Sequence, residues 1–196
     1  MLGPLLNRLG TPITLLSLLL AHAEAVRVAN PRLGLVSPGD LAVLVPRHTA
    51  DSLLFAFARR PLRGERWLDV GSGAGFPGLV LACCFPDCLF TLVEPLKRRA
   101  GFLRLAAADL GLGNVAIDER RLAEVAGADF DVSVARAFRS AAEATRMMLP
   151  AVRSGGLALV AIGAGAAAAP GAEIIKVEHF DNVDSPGLFS MMTRTG

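Results

Sequence analysis

From Trp67 onward, short apolar runs rich in β-branched residues alternate with longer stretches of helical periodicity. The runs predict strands over 67–70, 89–94, 115–117, 131–135 and 157–162. The stretches between them predict helices over 76–84, 96–110 and 140–149, each punctuated by Gly, Pro or Asn near its ends. Such alternation is the signature of a parallel sheet covered on both faces, with right-handed crossovers. Two more runs, 173–180 and 188–193, flank a turn-rich 181–187 and predict a closing hairpin. Before that hairpin, 163–171 is almost wholly Ala, Gly and Pro, the composition of a loop. The pattern therefore predicts a doubly wound α/β domain of seven strands.

Residues 1–50 read differently, as a helical extension or cap broken by Pro31 and Pro38, with the α/β domain over 51–196. Thr11 is a candidate N-cap, Pro12 suits a first helical position, and Leu15, Leu16 and Leu19 share one face. Arg8, the apolar run 13–20 and Ala21-His22-Ala23 also resemble a secretory signal. The run is shorter than the roughly 18 residues a bilayer span needs, and the expectation is a retained helix in a cytoplasmic protein.

Composition narrows the picture. The 196 residues are 53% hydrophobic and 19% charged, which excludes charge-driven disorder and suits one compact domain. A net charge of +2 is too small to indicate nucleic acid by itself. Of the 20 basic residues only Lys97 and Lys176 are lysine, leaving 18 arginines, side chains shaped for bidentate phosphate contacts but also favoured by GC-rich coding. Cys83, Cys84 and Cys88 form no CxxC pair, so they predict buried thiols rather than a metal site or a disulfide framework.

The candidate chemistry lies in Leu68-Asp69-Val70-Gly71-Ser72-Gly73-Ala74-Gly75-Phe76-Pro77-Gly78, an acidic strand end, a glycine-dense turn and a helix start. Glycines let the turn bend sharply and bring backbone amides against a ligand. Gly73, Gly75 and Gly78 also satisfy GxGxxG, with Glu94 as a following acid, so a dinucleotide site competes. Two details favour S-adenosylmethionine. Asp69 stands two residues before the first glycine, and Pro77 removes an amide where a pyrophosphate needs one. Glu94, at the second strand end, suits both hydroxyls of a ribose.

With LDVGSGAGFPGLVLA, TLVEPLKRRAGFLR, ADLGLGNV, FDVSVARAF and the upstream RHTADSL in this order, the chain resembles the GidB (RsmG) family over roughly 47–162. That family methylates guanine N7 in small-subunit ribosomal RNA. The resemblance implies a seven-stranded Rossmann-like S-adenosylmethionine-dependent methyltransferase fold, with 16S rRNA or the small ribosomal subunit as partner. No metal or membrane is expected, and a monomer is expected.

The glycine motif places Asp69, Gly73, Gly75 and Glu94 in the cofactor site, and the resemblance adds Gly71 and Phe76 as cofactor contacts. The backbone at Leu122 and Ala123 holds adenine, and Arg136 lines the site as the positioning candidate. Arg47, His48, Lys97, Arg98 and Arg139 are the candidate RNA contacts. Two departures stand out: Ala123 occupies a position where the family has Glu, with Glu124 one step later, and Ile162 replaces a lysine at the fifth strand end.

Guanine N7 carries a lone pair and no proton, so positioning rather than a general base is the expected means of catalysis. Competing assignments remain for several residues: Arg136 paired with Asp131 or Asp69, a structural His48, and Lys97 and Arg98 on a solvated helix face. A methyltransferase for a small molecule or protein, and a cofactor-binding protein of impaired activity, are the alternative functions.

Overall fold

A computed structural model of the protein describes residues 2–125, 127, 129–136, 140–163, 165–177 and 187–195. Two helices open the chain: α1 (Leu2–Leu9) and, after a 3-10 turn over Ile13–Leu15, α2 (Leu16–Leu33). A 3-10 segment (Pro38–Val43) and a π-helical segment (Leu44–Thr49) then lead into α3 (Ala50–Ala58). The alternating part follows as β1 (Arg66–Val70), α4 (Gly78–Cys84), β2 (Leu89–Val93), α5 (Lys97–Asp109), β3 (Val115–Asp118) and β4 (Phe130–Ala135). It continues through α6 (Ala141–Met148) to β5 (Val152–Ile162), and β6 (Glu173–Val177) and β7 (Gly187–Thr193) close it.

The seven strands form one sheet in the order β3-β2-β1-β4-β5-β7-β6. Strands β1 to β5 are mutually parallel, while β7 runs antiparallel to both β5 and β6. Residues 178–186 of the predicted hairpin lie outside the described residues.

Central strands buried on both faces must be apolar on both, and β1 shows it. Trp67 joins one buried cluster with Phe90 and Leu92, whereas Leu68 and Val70 join a second with Val93 and Val160. Asp69 is the exception on this strand, buried and charged in type. The chain leaves β1 for β2 on one side and returns to β4 on the other, so the crevice at the carboxyl ends of β1 and β4 is the topological switch point. Gly71 follows β1 there, and Arg136 follows β4.

The N-terminal helices share this core. Leu2, Leu5, Leu6 and Leu9 of α1, and Leu19, Ala23 and Val26 of α2, belong to the same cluster as Trp67. Helix α2 runs through Pro31, contrary to the predicted break. The proline sits in the last turn and forfeits only one amide bond there, and the helix ends instead at Gly34, left-handed at φ 56°, whose amide donates to Asn30 O. Thr11 does not act as an N-cap: its hydroxyl donates back to Leu6 O at 3.0 Å, and Pro12 occupies the cap position. Helix α4 begins at Gly78 rather than 76, because the turn's left-handed glycine conformations persist to Gly75 and Pro77 offers no amide.

The stretches Ile13–Leu33 and Pro38–Ala58 reach a length and hydropathy sufficient for a bilayer span, more than the run 13–20 suggested. Their buried residues, Leu19 and Val26 in one and Leu53 and Phe55 in the other, face the sheet domain's core. All three cysteines are free, buried thiols, which burial holds well above the usual thiol range.

Candidate functional site

The glycine turn is held from several directions. Gly71, Gly73 and Gly75 adopt φ of 70°, 53° and 87°, conformations that a side chain strains. The amides of Gly71 and Ser72 both donate to Val93 O, at 2.9 and 3.2 Å, tying the turn to β2. The Glu94 carboxylate accepts from Gly73 N at 3.0 Å through one oxygen and from Leu96 N at 2.9 Å through the other. Asp69 accepts from Gly78 N at 3.0 Å, and its Oδ1 is buried without a hydrogen-bond partner. Burial pushes the Asp69 carboxyl up to about 6, against the opposing pull of Ser72, the Gly78 amide and the Arg136 charge.

This arrangement consumes the start of α4. Pro77 has no amide, Gly78 N is taken by Asp69, and Leu79 N donates to Gly75 O at 2.9 Å. A dinucleotide pyrophosphate would find no free amide at those positions.

The four glycines also divide by what surrounds them. A Cβ on Gly75 would lie 2.6 Å from Leu79 Cδ1 and 3.1 Å from His22 Nε2, and one on Gly78 would lie 2.5 Å from Asp69 Oδ2. A Cβ on Gly71 meets nothing within 4 Å, and one on Gly73 meets only Gly71 O at 3.8 Å. Gly75 and Gly78 are thus required for packing, whereas Gly71 and Gly73 border open space.

That space is a cleft of about 590 Å³ lined by Gly71, Ser72, Gly73, Ala74 and Phe76 on the turn side. Across it stand Asp40, His48, Arg99, Arg136, Glu143 and Met147, with Leu35 and Val36 completing the wall. Arg136 donates to His48 Nδ1, lies 3.9 Å from Asp51 Oδ2, and stacks over the Phe76 ring at 5.5 Å. Its partner acid is therefore Asp51, not Asp131, which is occupied by Arg153 Nε at 2.6 Å and Arg66 N at 2.7 Å. Burial lowers the Arg136 guanidinium from its ordinary value, while Asp51 and Asp69 counter that shift.

Since an arginine can only donate, His48 Nδ1 is an acceptor and its proton sits on Nε2, which faces Asp40 Oδ1 at 3.5 Å. Burial, helped by the Arg136 charge, lowers His48 to about 4, so the ring is neutral at physiological pH. A Ser37 hydroxyl bond at 2.7 Å, and more weakly the His48 and Arg47 sides of the cluster, hold the Asp40 carboxyl below its ordinary value.

The remaining sequence candidates are dispersed. Leu122 is buried on a 3-10 turn after β3, and Ala123 is exposed beside it. Glu124 accepts from Arg121 N at 2.8 Å, turned back on its own turn. Arg47 pairs with Asp40 at 3.0 Å with its side chain largely exposed. Lys97 is exposed at the start of α5, and Arg98 donates to Arg32 O at 3.0 Å, at the C-terminal end of α2. Arg139 lies outside the described residues.

Sequence reasoning missed Asp40, Asp51, His22 and Arg99. Asp51 falls within the RHTADSL segment, but nothing local distinguishes its role. His22 carries no motif at all.

Comparison with known proteins gives a consistent picture. A family profile described as GidB, rRNA small subunit methyltransferase G, matches residues 15–173. Ribosomal RNA small subunit methyltransferase G of Clavibacter michiganensis subsp. michiganensis is 42% identical over 126 residues, covering 63% of this chain and 58% of that protein. Its counterpart in Leptothrix cholodnii is 31% identical over 191 residues, covering 92% and 86%. The chain thus spans little more than half of the Clavibacter relative. Among solved structures, an S-adenosylmethionine-dependent O-methyltransferase from Thermotoga maritima superposes with a TM-score of 0.58 at 15% identity, covering 75% of this chain and 65% of that one. At that identity the likeness is one of fold.

Proposed function

Because the chain belongs to the GidB family of rRNA small subunit methyltransferases, we propose that it transfers the methyl group of S-adenosylmethionine to N7 of a guanine in 16S rRNA. The observation that carries this reading is the glycine turn, open toward the cleft at Gly71 and Gly73 and closed to a pyrophosphate at α4. The residues fit the cofactor: Gly71, Gly73 and Phe76 border the cleft, and Glu94 stands at the β2 end with a carboxylate suited to ribose hydroxyls. Leu122 and Ala123 mark the adenine end in this proposal.

When bound, S-adenosylmethionine supplies an electrophilic methyl group on a sulfonium, which the unprotonated lone pair of guanine N7 can take directly. The protein's work is then to position and to exclude water. Arg136 emerges from the β4 end over Phe76, its guanidinium oriented by one hydrogen bond to His48 and an ion pair with Asp51. From there it can address the guanine O6 edge or a neighbouring phosphate. A neutral His48 suits this task, because its Nδ1 lone pair orients the guanidinium without adding a like charge. Arg47, Lys97, Arg98 and Arg139 are the proposed outer contacts to the RNA backbone. Such an enzyme acts as a cytoplasmic monomer on ribosomal subunits or their RNA.

The test is transfer of a radiolabelled methyl group to naked 16S rRNA and to small subunits, with the label mapped to one position. Label on a single guanine N7 supports the proposal. Label confined to small molecules or protein, or calorimetric binding of NAD in place of S-adenosylhomocysteine, overturns it.

A further inference from the structure

The glycine turn is braced by Asp69 and Glu94 from within the α/β sheet, and by one residue from outside it. His22, on α2, is fully buried, with Nε2 2.8 Å from Ala74 O. A carbonyl only accepts, so Nε2 carries the proton and donates. Burial lowers the ring to about 4, which keeps it neutral and leaves Nδ1 a buried lone pair with no hydrogen-bond partner. Such a group is costly to bury and is kept where its other nitrogen does something that apolar packing cannot. The ring also lies 4.7 Å from that of Phe76, and it occupies the space behind Gly75 that a Cβ would claim.

We propose that His22 is a positioning residue for the cofactor turn: it holds the Ala74 carbonyl, and with it the open faces of Gly71 and Gly73, from the side opposite the cleft. Helix α2 thereby becomes part of the cofactor site rather than a cover for the sheet. This inference rests on the reading that the turn binds S-adenosylmethionine.

Three variants separate the hydrogen bond from packing. His22→Leu fills the volume without a donor, His22→Gln restores a donor near the place of Nε2, and His22→Asn keeps an amide one methylene short. In the cofactor-free protein, hydrogen exchange of the amides over 72–78 should quicken about tenfold in His22→Leu and return close to the original rate in His22→Gln. Calorimetry with S-adenosylhomocysteine should show about tenfold weaker binding by His22→Leu and binding within about threefold of the original by His22→Gln. His22→Asn should behave as His22→Leu does, and it carries the same expectation should the leucine variant fail to fold.

Unchanged exchange in a folded His22→Leu or His22→Asn, or equal losses in the leucine and glutamine variants, overturns the proposal. If the unaltered protein itself fails to bind S-adenosylhomocysteine, the cofactor reading falls, while the exchange rates still decide the brace.

Discussion

The two walls of the cleft are built by opposite means. On one side, residues 69–78 fold on their own backbone, tied to the end of β2 through Val93 O and the Glu94 carboxylate and backed by His22. On the other, Asp40, His48, Asp51 and Arg136 come from separate elements and meet only through side chains. The first wall depends on conformations that neighbouring residues impose, and the second on burial and charge. They should therefore fail under different insults.

The sharpest contrast lies within the turn wall. Gly78→Val forces a side chain onto the Asp69 carboxylate and Leu92, and should destabilise the fold by about 3 kcal/mol. Gly71→Val meets open space and should cost about 1–2 kcal/mol from its left-handed backbone alone. It should stay folded yet lose S-adenosylhomocysteine binding, as should Gly73→Val. Thermal melts paired with calorimetry check this, and equal melting losses at Gly71 and Gly78 would erase the division.

Acid should act through the histidines. His22 and His48 are lowered from 6.5 to about 4, so their stabilising contributions are full above pH 6.5 and lost as pH falls toward 4. Asp69 runs the other way, raised from 3.8 to about 6: its contribution is full below 3.8 and lost as pH rises to 6. With each group worth on the order of 3 kcal/mol, two histidines against one aspartate leave a net loss of about that size between pH 6.5 and 4. Urea midpoints should fall across that window, and His48→Gln should remove most of the slope. Midpoints that rise on acidification contradict the neutral-histidine assignment.

Glu94→Ala should weaken S-adenosylhomocysteine binding by about 1.5–3 kcal/mol, through lost charge-assisted ribose bonds and a freed Gly73 amide. The salt dependence of RNA binding should stay as it was. Calorimetry and filter binding across salt concentrations measure the two separately.

The smallest effect is expected outside both walls. Replacing Lys97 and Arg98 together with Ala should reduce the salt slope of RNA binding by one to two released counterions, about one per phosphate contact, while cofactor affinity holds. An unaltered slope would assign Arg98 to capping α2 through Arg32 O and leave Lys97 on a solvated face.

The turn wall is legible in the sequence because its signals are local. An acid, four glycines and a proline within ten residues constrain the backbone whatever surrounds them. The alternation of apolar runs and helical stretches likewise determined the sheet and its parallel core, since a strand buried on both faces must be apolar on both. Even so, Pro31 misleads, because a proline in a last turn costs a helix one bond and not its continuity.

Only the tertiary structure decided the brace behind the turn and the make-up of the other wall. Nothing adjacent to His22 announces that it will sit 52 residues away from its acceptor in sequence and 2.8 Å from it in space. Nor does the sequence around Arg136 select Asp51 over Asp131. Such pairings are fixed by which side chains the packed helices bury together, where leaving a buried polar group unpaired is costly. A property of the closed fold, it is written in no single stretch of the chain.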